Sequence, residues 1–129
     1  MYHRGTDCET MRFSELGKDK PYLGKEDNFQ IEVAKLLDWK KLLWMHVANE
    51  RRTSPMRGAK LKKMGVKAGV PDIFILETRP RIAIELKVKN GRLGSNQKRF
   101  LEELSLAGWD CYVCYNMDAV LSILKKYKI

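Results

Sequence analysis

The sequence predicts an α/β domain built as one mixed β-sheet flanked by helices. Stretches with apolar residues at helical spacing alternate with short runs rich in Ile, Val and aromatic residues. Gly, Pro, Ser or Asn stands at the boundaries between most of them. The 129 residues fit one domain. A composition of 44% hydrophobic and 32% charged residues is that of a globular chain able to fold without disulfides or a structural metal.

Residues 1–24 are polar and glycine-containing and are expected to form an N-terminal arm, with 25–129 as the domain. Phe29, Val33, Leu36 and Leu37 recur at helical spacing and predict a helix over 25–38. Residues 41–48 read as a strand and 49–53 as a charged loop. Ser54-Pro55 offers a capping hydroxyl and a proline at the first helical position, so a short basic helix follows, stopped by Gly65. After the Gly69-Val70-Pro71 turn, strands are predicted over 72–76 and 81–89, joined through Arg79-Pro80. A loop over 90–94 leads to a helix over 96–107, capped by Ser95 and closed by Gly108. A strand over 110–115 and a helix over 117–127 complete the order.

Lys and Arg total 25 against 16 acidic residues, a formal charge of +9. Such a surface attracts polyanions, nucleic acid first. There are three cysteines, Cys8, Cys111 and Cys114. An odd count without a secretory leader points to a reducing compartment, and a cytoplasmic location is expected. Cys111 and Cys114 sit three apart on a predicted strand and point to opposite faces, which argues against a redox pair or half a zinc site. No apolar stretch approaches the roughly 20 residues that span a bilayer.

The residues that carry chemistry lie on the two central predicted strands. In Ile82 through Lys89, the residues Ile82, Ile84, Leu86 and Val88 share one face, and Glu85, Lys87 and Lys89 the other. Glu85 and Lys87 stand roughly 6.6 Å apart along the strand, so their tips can converge on one small group. Alone this is an ordinary half-solvated strand. Asp72 begins the preceding strand, and a short connection can bring it beside Glu85. Two carboxylates that close repel as anions unless a cation lies between them. A hard divalent ion that also meets substrate phosphate suits the pair.

Pro71-Asp72, twelve intervening residues and Glu85-Leu86-Lys87 resemble the signature of the PD-(D/E)xK nucleases. A longer pattern is similar to their VRR-NUC branch, the virus-type replication-repair nucleases. It runs from Lys60 to Asp72, through Ile84-Glu85-Leu86-Lys87, to Gly91-Arg92-Leu93-Gly94-Ser95-Asn96-Gln97. Glu26, Gln30, His46 and Asn49 extend it upstream, and the resemblance covers residues 25–125. It implies a restriction-endonuclease-like fold and hydrolysis of DNA phosphodiester bonds with Mg²⁺ or Mn²⁺. It also implies a homodimer acting on branched or Holliday-junction DNA in replication, recombination or repair.

On that resemblance, Asp72 and Glu85 hold the ion with the backbone carbonyl of Leu86. Lys87 orients or deprotonates the attacking water, or offsets charge in the transition state; its protonation state stays open, because a cation lowers its pKa and carboxylates raise it. An early-helix glutamate joins the site. Glu26 is favoured because Gln30 follows one turn later, with Glu32 the competitor. Gln97 is a candidate for contact with phosphate or water, with His46 and Asn49 behind it. Arg51, Arg52, Arg57, Lys60, Lys62, Lys63 and Lys67 either line the path of the DNA backbone or form a solvated charged face. The alternative is a non-catalytic nucleic-acid-binding module on the same fold. That module explains the charge but not paired carboxylates facing a polyanion.

Overall fold

The computed structural model describes residues 13–48 and 54–129. In these, five strands, β1 (Ser14–Leu16), β2 (Trp44–His46), β3 (Ile73–Ile75), β4 (Ile82–Leu86) and β5 (Asp110–Cys114), form one sheet in the order β1-β5-β4-β3-β2. β1 and β4 flank β5 in parallel, while β3 pairs antiparallel with both β4 and β2. The sheet is therefore mixed, as the sequence predicts. Four helices accompany it: α1 (Glu26–Trp39), α2 (Pro55–Lys63), α3 (Ser95–Leu106) and α4 (Met117–Lys126). The architecture is restriction-endonuclease-like.

The pleat divides the core in two. On one face Ile73, Ile75, Ile82, Ile84, Leu86 and Cys114 meet Phe29, Val33 and Leu37 of α1 and Val120, Ile123 and Leu124 of α4. On the other, Phe74, Ala83, Cys111, Val113 and Tyr115 meet Leu101 of α3. The two cysteines thus lie on opposite faces. Burial pushes both thiols up to about 12, so neither offers a reactive thiolate.

The expected arm needs correction over 13–24. Leu16 registers with Cys114 in a parallel pair, and Phe13 is buried. The Tyr22 ring stacks on Phe29 at 4.7 Å, and its N–H donates to the Tyr115 carbonyl. Asn116 caps α4 through the Ala119 N–H and donates its own amide to the Lys20 carbonyl at 2.8 Å. These residues fold because β5 offers an open edge, a tertiary cause invisible in a short polar run. Residues 1–12 lie outside the described residues. The strands over 41–48 and 81–89 are shorter than expected, and α3 begins at Ser95 with Gly94 as its N-cap. α2 starts as expected, with Ser54 accepting the Arg57 N–H at 3.1 Å. None of its residues is buried. Among the described residues no helix is long and apolar enough to cross a membrane.

Candidate metal centre

β3 and β4 run antiparallel with Ile73 opposite Ile84, so the same register sets Asp72 opposite Glu85. Both side chains then emerge on the face that carries Phe74 and Ala83. Asp72 is fixed from two sides. Its Oδ2 accepts the Leu86 N–H at 2.8 Å, and its carbonyl lies 2.7 Å from His46 Nδ1. A carbonyl only accepts, so Nδ1 carries the proton. His46 therefore supports the Asp72 backbone from β2 rather than joining the carboxylates.

Glu85 is 1% exposed, and its charge is costly there. Burial first, then the neighbouring Asp72, push its carboxyl up to about 8, although Lys87 opposes the shift. Burial also raises Asp72, helped by the charge of Glu26 and opposed by the Leu86 N–H. Each acid therefore resists ionising beside the other, a penalty that a bound cation removes.

Glu26 opens α1 at the same place. One ligand oxygen from each of Glu26, Asp72 and Glu85 lies within 4.8 Å of the others. Three carboxylates at that spacing suit a hard divalent ion, which takes oxygen ligands at about 2.0–2.6 Å. Glu32 does not enter the cluster, since its carboxylate accepts the Tyr22 hydroxyl.

Lys87 is nearly buried, and its N–H continues the sheet by donating to the Cys114 carbonyl at 3.0 Å. Its Nζ lies 3.4 Å from Glu85 Oε2 and donates to Gln97 Oε1 at 3.1 Å. Gln97 in turn donates through Nε2 to Glu85 Oε2 at 3.0 Å, and its Oε1 accepts the Gly94 N–H at 2.8 Å. One amide thus orients Glu85 and Lys87 together and ties both to the start of α3.

Two supports escape a reading of the sequence. Gly69, at φ +81°, lies so close to α3 that a Cβ would sit 2.4 Å from the Asn96 carbonyl carbon. The Tyr115 hydroxyl holds the loop before α3 by donating to the Gly91 carbonyl at 3.0 Å. Gly69 sits in the lead-in to Asp72, where a glycine signals either a left-handed backbone or a close approach; here it is both.

Of the expected basic residues, Arg57, Lys60, Lys62, Lys63 and Lys67 are exposed on or after α2. Arg51, Arg52 and Asn49 lie outside the described residues.

The sequence model of the VRR-NUC domain family matches residues 24–118. Among solved structures the chain is similar to one titled "VRR_NUC domain protein", at 29% identity and a TM-score of 0.57, over 77% of this chain and 87% of that one. No curated protein matches.

Proposed function

The chain belongs to the VRR-NUC family, and from that premise we propose that it is a divalent-metal-dependent endonuclease hydrolysing DNA phosphodiester bonds. The observation that carries the reading is the meeting of Glu26, Asp72 and Glu85 within 4.8 Å, with Lys87 hydrogen-bonded alongside through Gln97. A basic chain that gathers three acids at one point repels its own polyanionic partner there, unless a cation sits among them.

Asp72, Glu85, Glu26 and the Leu86 carbonyl are the proposed ligands, with Mg²⁺ or Mn²⁺ as the ion. When bound, the ion supplies Lewis acidity that polarises the phosphate and lowers the pKa of the attacking water. The chain's own groups do the rest. Lys87 Nζ stands beside Glu85, where its ammonium offsets charge growing on the phosphate, or its neutral amine takes the proton of the attacking water. Gln97 fixes that Nζ and the Glu85 carboxylate in one orientation, which lowers the reorganisation needed in the transition state. The exposed cations Arg57, Lys60, Lys62, Lys63 and Lys67, with Arg51 and Arg52, are proposed to bind the DNA backbone.

We further propose a homodimer, whose two centres related by a two-fold axis suit branched or junction DNA in replication, recombination or repair. The test incubates the purified protein with duplex, single-stranded and four-way-junction DNA in Mg²⁺, Mn²⁺ or EDTA. Products only with a divalent ion are expected. Binding without cleavage under every condition would replace the reading with that of a non-catalytic module.

A further inference from the structure

α2 and α3 bound an open groove of about 530 Å³, lined by Lys62, Lys67, Asn96, Arg99, Phe100 and Glu103. The α3 contribution, 96, 99, 100 and 103, is a single stripe at helical spacing. It lies beside the face from which Leu101 enters the core and Gln97 reaches Glu85. Lys62 and Lys67 are exposed and have no ion-pair partner among the described residues. Arg99 rests on the Asn96 amide oxygen at 3.3 Å. Three cations, Lys62, Lys67 and Arg99, line the groove with one acid, Glu103. Phe100 is half-buried and adds an aromatic surface. The groove is tied to the carboxylates through α3, because Asn96 lines it and the next residue, Gln97, donates to Glu85 Oε2 at 3.0 Å.

Resting on the nuclease reading above, we infer that this groove receives a single unpaired DNA strand beside the cleavage centre. Lys62, Lys67 and Arg99 take its phosphates, and Phe100 takes a base. Phe100 decides against a duplex: paired bases stack on one another and leave no free face for its ring, whereas an unpaired base can lie on it. Cations that track a backbone, with an aromatic ring for stacking, are the usual equipment for unpaired strands of any sequence. The favoured substrate is then DNA with an unpaired segment next to the scissile bond, and α2, none of whose residues is buried, contributes Lys62 to the wall opposite α3.

The experiment measures binding of labelled oligothymidylate to the full chain in EDTA by fluorescence anisotropy, over a range of salt. The variant Lys62→Ala/Lys67→Ala/Arg99→Ala changes only exposed side chains. It is expected to weaken binding and to flatten the salt slope by about 0.7 for each phosphate left without its cation. Phe100→Leu keeps an apolar side chain and removes the ring. It is expected to weaken binding roughly ten-fold with the slope unchanged, and to have no effect on an abasic strand of equal length. Wild-type affinity in both variants, an equal Phe100→Leu loss on the abasic strand, or equally tight binding of an acidic peptide overturns the inference. Because EDTA removes hydrolysis from the readout, a chain that binds in this way but cleaves nothing in Mg²⁺ sinks the nuclease reading and leaves the groove assignment standing.

Discussion

The carboxylate of Asp72 accepts the backbone N–H of Leu86 at 2.8 Å, which locks the acid preceding β3 onto the strand that carries the acid facing it. The bond offsets part of the cost of holding Asp72 among like charges, since it favours the ionised form while burial and Glu26 oppose it. No backbone donor among the described residues opposes the burial of Glu85 in this way.

Asp72→Asn separates fold from chemistry. The amide oxygen still accepts the Leu86 N–H, so the unfolding midpoint in EDTA is expected to stay close to that of the wild type. Ion-induced stabilisation disappears, and cleavage falls at least roughly a hundredfold, as expected when several kcal/mol of transition-state stabilisation are removed. Thermal unfolding with and without Mg²⁺, beside a cleavage assay, reads both. Cleavage near the wild-type rate would remove Asp72 from the centre.

The acids also set a pH dependence of stability. The Glu85 carboxyl is raised from 4.5 to about 8 in the folded chain. Between those values the folded state holds a proton that the unfolded state has released. The resulting stabilisation is complete below the lower value and is lost as pH climbs to about 8; Asp72 is raised too and adds in the same direction. Urea unfolding in EDTA from pH 5 to pH 9 is expected to show this decline, and Glu85→Gln to flatten it. Ion binding displaces the proton, so Mg²⁺ affinity should strengthen up to about tenfold per pH unit below 8. An affinity that does not change with pH would contradict a proton held on Glu85.

Gln97→Ala deprives three groups of a partner at once: Lys87 Nζ, Glu85 Oε2 and the Gly94 N–H. A cost of about 1–3 kcal/mol in stability is expected. The cleavage rate should fall by one to two orders of magnitude while ion binding survives. Lys87→Ala should cost roughly 10²–10⁴ in rate without weakening the ion, because it removes a positive charge from beside it. Single-turnover rates at saturating Mg²⁺, with ion titrations on the same samples, distinguish the two residues.

Gly69→Ala and Gly65→Ala form a matched pair. Both glycines have positive φ, +81° and +103°, so each alanine meets backbone strain of about 1 kcal/mol. At Gly65 a Cβ meets nothing within 4 Å, whereas at Gly69 it meets the α3 backbone at 2.4 Å. The Gly69 variant should therefore be the less stable by more than about 1 kcal/mol in denaturant midpoints, and it alone should lose cleavage, because it displaces Gln97. Equal midpoints and rates would show that the close approach positions nothing.

Much of this was legible in the sequence, for local reasons. The alternation in Ile82 through Lys89 fixed which residues face Asp72, and the antiparallel register of β3 and β4 delivers the meeting. The sequence favoured Glu26 over Glu32 only through Gln30 one turn later, and the Tyr22 contact that engages Glu32 could not be read from it. β1 was hidden for a related reason: Ser14–Leu16 is a strand because β5 lies beside it, not because three mixed residues prefer extension. The expectation that Ser95 caps α3 failed because the chain reaches the helix through Gly94, whose N–H is met by the Gln97 side chain. The meeting of α2 and α3 depends on how separate helices sit, which no local pattern encodes.

That α2 buries none of its residues bears on the order in which the chain loosens. Opening this turn of structure exposes almost no apolar area, so its amides should exchange with deuterium long before those of β4 and β5, which lie in the core. Its run of Lys60, Lys62 and Lys63 then becomes an early target for trypsin, cut while the sheet remains folded. A strand seated between α2 and α3 would slow both processes at that helix and leave the interior untouched.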